Sequence, residues 1–111
     1  MEILSKNTLK LLLVDSSEPS LKILATLLGN ANCRIESALS ASEGLEKLEH
    51  FEADLVMLQY DLPDMPGIEL VRKLRSDNRF REMPIVVTND PGQNSCLVKA
   101  FEAGASDYMT K

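Results

Sequence analysis

Four polar residues stand at the ends of short apolar runs, where side chains of these types could do chemistry. Asp15 follows Leu11-Leu12-Leu13-Val14, and Gln59 follows Leu55-Val56-Met57-Leu58. Asn89 follows Ile85-Val86-Val87-Thr88, and Lys111 follows Tyr108-Met109-Thr110. A carboxylate such as Asp15 can ligate a hard cation, which prefers oxygen donors, or it can pair with Lys111 as a charged strand end. Gln59 carries a neutral amide. Its oxygen is a feeble nucleophile, so covalent chemistry that needs an ionised oxygen does not run there. Asn89 can donate a hydrogen bond through its amide. Asp61 and Asp64 follow Gln59 in a proline-marked loop, where acids are usually just solvated.

The other reactive residue types form no set. Cys33 and Cys96 show neither a C-x-x-C nor a metal-ligand spacing and read as two free thiols in a reducing cytosol. His50, the single histidine, ends an amphipathic segment and reads as structural. Met57, Met65, Met83 and Met109 are scattered, as packing residues are. Neither a hydrolase triad, a metal cluster nor a basic patch is present in the sequence.

The elements that must position these residues alternate in type. Leu11 to Val14 is a continuous apolar run, the pattern of a strand buried on both faces of a parallel sheet. Ser17 can cap a helix beginning at Pro19, with Leu21, Leu24, Leu27 and Leu28 at helical spacing and Gly29-Asn30 as its stop. Cys33 to Ala38 predicts a weaker strand, with Arg34 and Glu36 alternating as at a sheet edge. Ser40-Ala41-Ser42-Glu43 is a capping box in which the Ser40 hydroxyl and the Glu43 carboxylate satisfy each other's backbone donors. Leu45 and Leu48 give that helix its apolar stripe.

The alternation continues through Leu55 to Leu58 as a strand and Leu62 to Gly67 as a loop. Ile68, Val71 and Leu74 then mark a helix, and Pro84 to Thr88 a strand. A helix with Leu97, Val98 and Phe101 ends at Gly104, and a last short strand runs over Asp107 to Thr110. Such alternation predicts an α/β domain with a parallel sheet and right-handed crossovers. Ligands of such sheets bind outside the carboxyl ends of the strands, beside the point where strand order reverses. Asp15, Gln59, Asn89 and Lys111 are the residues at those ends.

The stretch from Asp54 to Gly67 resembles the segment around the phospho-acceptor of response-regulator receiver domains. In that family an acceptor aspartate ends the third strand, with proline four and glycine eight residues later. Pro63 and Gly67 stand at those offsets from position 59. The run ending in Asp15 is similar to the family's first strand, and Ala103 to Lys111 is similar to its ending, so the resemblance spans the whole chain. It implies a flavodoxin-like (βα)5 doubly wound parallel sheet of strand order 2-1-3-4-5, built as one domain over residues 1–111. It also implies a signalling module of two-component phosphorelays and not an enzyme.

Carried over residue by residue, the resemblance puts Gln59 at the acceptor position. Asp15 and Ser16 fall at the acidic pair that holds magnesium, and Asn89 at the switch hydroxyl. Lys111 falls at the phosphate-binding lysine and Tyr108 at the switch aromatic. The intervals of 30 residues from 59 to 89 and 22 from 89 to 111 suit that register without a gap. A one-residue shift would bring Thr88 in instead, yet spoil the spacing to Lys111. Three positions depart from the pattern. Gln59 cannot form the acyl phosphate, Ser16 removes one carboxylate, and Asn89 replaces the hydroxyl, with the acid Asp90 following it. Asp15 could still hold Mg²⁺ weakly; no other cofactor is implied. Tyr108 can either bury its ring against the fourth helix or turn outward.

The totals agree with a signalling module that binds proteins. A chain of 111 residues suits one domain and can bury roughly two-thirds of its unfolded surface. A net charge of −5 repels nucleic acid phosphates, and no apolar run approaches the ~20 residues needed to span a bilayer. The opening residues lack the features of a signal peptide. A cytoplasmic location is expected, with a signalling protein, an output domain or a second copy as partner. The family carries a fifth helix after the lysine, so a segment beyond Lys111 or a partner chain is expected to cover one sheet face. Two alternatives stay open. One is a receiver accepting phosphate at a nearby acid such as Asp61, and the other is a flavodoxin-like binder of a nucleotide or flavin. The second lacks glycines after the first strand.

Overall fold

The computed structural model describes residues 8–28, 33–92 and 96–111. In chain order the elements are β1 (Leu9–Val14), α1 (Glu18–Leu28), β2 (Cys33–Ala38), α2 (Ala41–Leu48) and β3 (Leu55–Gln59). They continue with α3 (Gly67–Arg75), β4 (Ile85–Asn89), α4 (Cys96–Ala103) and β5 (Asp107–Thr110). The strands form one sheet in the order β2-β1-β3-β4-β5, with every neighbouring pair parallel. The parallel α/β sheet is the one expected from the alternating pattern, and its flavodoxin-like strand order is the one that the resemblance implies. The chain first steps from β1 to β2, then returns across β1 to place β3 on its other side. The reversal of strand order therefore lies between β1 and β3.

The continuous apolar runs are explained by burial on both sheet faces. Because side chains alternate along a strand, Leu12, Val14, Val56, Leu58, Ile85 and Val87 point to one side. There they pack against Ala41 and Leu48 of α2, Ile68, Val71 and Leu74 of α3, and Ala100 and Ala103 of α4. Leu11, Leu13 and Met57 point to the other side, where they meet Leu21 and Leu24 of α1. Fully burying an aliphatic side chain of this size is worth about 1.5–3 kcal/mol, so the three-helix side holds most of the core.

Some local expectations are corrected. Leu27, placed by its spacing in the apolar stripe of α1, is 67% exposed, because that part of the sheet face carries no second helix among the described residues. Leu97, Val98 and Phe101 mark α4 but lie on its outer side, and the helix docks instead through the small Ala100 and Ala103. The capping box at α2 is half formed. Ser40 Oγ accepts from the Glu43 N–H at 3.1 Å, but the Glu43 carboxylate accepts from Leu39 N at 2.7 Å, one residue earlier than expected. The next donors, Ala41 N and Ser42 N, are held by the carboxylate of Asp64 at 2.9 and 2.8 Å. The predicted stop at Gly29-Asn30 and the opening residues 1–7 lie outside the described residues.

Two glycines are required by geometry. At Gly104 the backbone has φ +117, which ends α4, and a Cβ there would meet Arg75 Cγ at 2.8 Å. Gly67 donates its N–H to Tyr60 O at 2.6 Å, and a Cβ at that position would collide with the carbonyl oxygens of Gln59 and Tyr60. Only a residue without a side chain lets the loop after β3 fold back onto the end of that strand.

Candidate functional site

Parallel pairing brings the carboxyl ends of four strands together, because each register is continuous. Val14 stands beside Leu58, Gln59 beside Thr88, and Asn89 beside Thr110. Asp15 continues β1 and donates its N–H to Ala38 O at 2.9 Å. Lys111 continues β5 and donates its N–H to Asn89 O at 2.8 Å. Asp15, Ser16, Gln59, Asn89, Tyr108 and Lys111 are thereby gathered at one end of the sheet.

Asp15 is 2% exposed. Its Oδ1 accepts from the Ser17 N–H at 2.8 Å, just before α1. Its Oδ2 receives no directed hydrogen bond, and the Lys111 ammonium 2.7 Å away balances its charge instead. At the reversal point itself, Ser16 bridges β1 to β3. Both the Ser16 N–H, at 2.9 Å, and the Ser16 hydroxyl, at 3.0 Å, donate to Gln59 Oε1. That oxygen sits where strand order reverses, and it is already doubly hydrogen-bonded.

Asn89 is buried. Its Oδ1 accepts from the Asp90 N–H at 2.9 Å, and its Nδ2 donates to the Tyr108 hydroxyl at 3.0 Å. The ring of Tyr108 is half-buried against the larger core. Thr88 is also buried but turns to the opposite sheet face, where it lines an apolar trough of about 270 Å³ with Ile23, Leu24, Leu27 and Met109. The two adjacent strand residues thus face different surroundings, as pleating requires.

Two contacts escape the sequence pattern. Tyr60, the residue after Gln59, has its pKa pushed up to about 12 by the Cys96 thiol at the start of α4, together with partial burial. The Asp64 carboxylate is held below its ordinary range by the Ser42 and Ala41 N–H donors. Nothing in residue spacing pairs Tyr60 with Cys96 or Asp64 with α2, since both contacts cross between distant segments. Asp61 is exposed, and its backbone bridges to Pro66 across the loop. His50 is exposed in the turn after α2, and Cys33 and Cys96 are free thiols. Among the described residues no three His, Cys, Asp or Glu side chains are grouped to hold a metal ion, and no helix is long and apolar enough to cross a membrane.

The fold has close counterparts among solved structures. The solved structure of the chemotaxis response regulator CheY4 of Vibrio cholerae superposes with a TM-score of 0.88, covering 95% of this chain and 88% of that one at 23% identity. A CheY-like receiver domain protein from Methanospirillum hungatei gives 0.84 at 28% identity, covering 95% and 82%. In sequence, chemotaxis protein CheY1 of Helicobacter pylori is 33% identical over 107 residues, 93% of this chain and 85% of that protein. The two-component response regulator ARR6 of Arabidopsis thaliana is 29% identical over 118 residues, 96% of this chain and 63% of that protein. The family profile described as the response regulator receiver domain matches residues 11–111. Sheet order and sequence agree, and the chain belongs to the response-regulator receiver-domain family of two-component signalling.

Proposed function

We propose that this receiver domain does not accept a phosphoryl group at position 59 and signals through protein contacts alone. The carrying observation is the Ser16–Gln59 pair, in which the only oxygen of the Gln59 side chain accepts from both Ser16 donors. Phosphoryl transfer to a side chain needs an ionised oxygen aimed in line at phosphorus. A neutral amide oxygen with both lone pairs engaged supplies neither the charge nor the access.

The neighbouring positions support the same reading. Mg²⁺ is typically held by one or two carboxylates together with phosphate oxygens and water. Asp15 is the single acid here, with Oδ1 on the Ser17 N–H and Oδ2 beside Lys111. This donor set does not fit a dedicated magnesium site. Lys111, placed by the resemblance at the phosphate-binding position, already balances Asp15. Of the acids near Gln59, Asp64 is committed to α2 through both oxygens, leaving Asp61 as the exposed alternative acceptor.

The domain accordingly works in the cytoplasm as a non-enzymatic module whose partner is a signalling protein, an output domain or a second copy. Its charge of −5 argues against nucleic acid as a partner. Incubation with acetyl phosphate and Mg²⁺ followed by intact-mass measurement is expected to show no phosphoryl adduct. An adduct mapped to Asp61 would overturn the proposal. The double reversion Gln59→Asp with Ser16→Asp is expected to gain Mg²⁺-dependent beryllofluoride binding.

A further inference from the structure

We propose that the groove between the turn after α2 and the segment before β4 docks a short basic segment of a partner protein. That segment carries lysine or arginine together with apolar side chains. The groove lies at the end of the sheet away from Gln59, since Asp54 and Pro84 immediately precede β3 and β4. The inference therefore goes beyond the reading of position 59 and does not depend on it.

The groove has a volume of about 950 Å³. Its apolar lining includes Leu48 and Phe51, both buried, and the half-buried Met83. Both walls are set before any partner arrives. On one side Asp54 donates its N–H to Lys10 O at 2.7 Å, and its Oδ2 accepts from the Lys10 N–H at 2.8 Å. On the other, the Arg75 guanidinium donates to the carbonyls of Phe80, Arg81 and Met83 at 3.0, 3.1 and 2.7 Å. A surface already held in shape loses less free energy to ordering when it binds.

Charge selects the occupant. The four carboxylates of Glu49, Glu52, Asp54 and Glu82 line the groove against the two guanidiniums of Arg79 and Arg81. Counting the adjacent Asp77 and Lys10 leaves that surplus of two negative charges unchanged. Arg79 is already engaged, by Glu49 through both oxygens at 3.0 and 3.1 Å and by Asp77 at 2.8 Å. Glu82 is exposed and has no ion-pair partner among the described residues. Glu52 meets Lys10 only at 3.9 Å, with its side chain 96% exposed. Acids around an apolar lining match the apolar centre and polar rim of a protein interface. An acidic segment is repelled there, and a purely apolar one strips water from the carboxylates without replacing it. A segment with both cations and apolar side chains meets both demands.

The test uses the full chain with ¹⁵N-labelled amides and, as probe, a short synthetic peptide of alternating leucine and lysine. The peptide is expected to shift the amide signals of residues 48–54 and 78–84, and to bind more weakly as salt screens the charges. In Glu52→Lys with Glu82→Lys, both exposed positions, its Kd is expected to rise at least about tenfold. Glu18→Lys with Asp90→Lys makes the same change of net charge at the other end of the sheet. There the rise is expected to stay within about twofold, because the charges lie beyond effective reach. Peptides with serine in place of leucine, or glutamate in place of lysine, are expected not to bind. Absence of binding, equal binding of the glutamate peptide, or equal losses in the two charge-reversed proteins would overturn the proposal. Shifts confined to α1 and β5 would overturn it too, by placing the peptide in the trough on that face. Shifts in residues 48–54 and 78–84 that grow with protein concentration alone would assign the groove to a second copy of the chain, against the proposal. No phosphoryl donor is present, so the outcome stands whatever position 59 does.

Discussion

Asp15 is the one buried carboxylate among the described residues, and its two oxygens are held in different ways. Oδ1 holds a backbone N–H at the entry to α1, while Oδ2 depends on the ammonium of Lys111 for its balance of charge. Removing one partner of a well-buried ion pair destabilises a protein by about 3–5 kcal/mol, because the other charge is stranded. The Lys111 side chain keeps 19% exposure, so water recovers part of that loss. Lys111→Met is expected to lower stability in urea unfolding by about 2 kcal/mol. The same substitution placed on Asp15→Asn, where the Oδ1 contact survives and no charge is stranded, is expected to have an effect near zero. An equal loss in both backgrounds would mean that the lysine acts through packing and not through its charge.

At the scale of elements, α2 has a start that is well satisfied by side chains. Its first three N–H groups are taken by Asp64, Asp64 again and Ser40. Asp64 thereby ties the loop after β3 to the start of α2 and keeps that loop near the strand end. Replacing a capping carboxylate by alanine costs about 1 kcal/mol, and Asp64→Ala is expected to show that loss at neutral pH. Because the folded-state pKa of Asp64 lies below its ordinary value of 3.8, its contribution is present above that value and is lost as pH falls through the folded pKa. The stability difference between the parent protein and Asp64→Asn is therefore expected to shrink below pH 3.8; a difference independent of pH would exclude the charged cap.

This tie was invisible in the sequence, since Asp64 lies 23 residues from Ala41 and Ser40-x-x-Glu43 already looked like a complete cap. The strand ends were legible for the opposite reason. A strand buried on both faces must be apolar throughout, so the first polar residue after the runs of β1 and β3, Asp15 and Gln59, marks the strand end. Gly104 and Gly67 were legible too, one as a helix stop and one by its offset from Gln59.

For the whole molecule, the sheet divides the core unequally. The side covered by α2, α3 and α4 joins three helices through Leu58, Val71, Leu74, Ile85 and Val87, all at most 1% exposed. Among the described residues the side covered by α1 buries the apolar side chains Leu11, Leu13, Leu21 and Met57, beside an open apolar trough. Helical spacing alone could not reveal this, because the leucines of α1 recur as regularly as those of a fully buried helix. What they meet is decided by which crossovers fall on which face, and three of the four helices among the described residues fall on the other one. Arg75 adds to the asymmetry, since its guanidinium ties α3 to the carbonyls of Gly104, Phe80 and Met83 at 2.8, 3.0 and 2.7 Å. Regions with few buried apolar contacts open locally at lower free energy than the densely packed remainder. Ile23 and Leu27 of α1 are 60% and 67% exposed, and of its described side chains only Leu21 is buried, whereas α3 buries Ile68, Leu70, Val71 and Leu74, so undocking α1 uncovers less buried apolar surface than undocking α3. In native-state hydrogen exchange the amides of α1 are expected to exchange at least about tenfold faster than those of α3, a difference of about 1.4 kcal/mol in opening free energy. Equal protection in the two helices would mean that the α1 face is covered in solution, and that its trough is an interface and not an open surface.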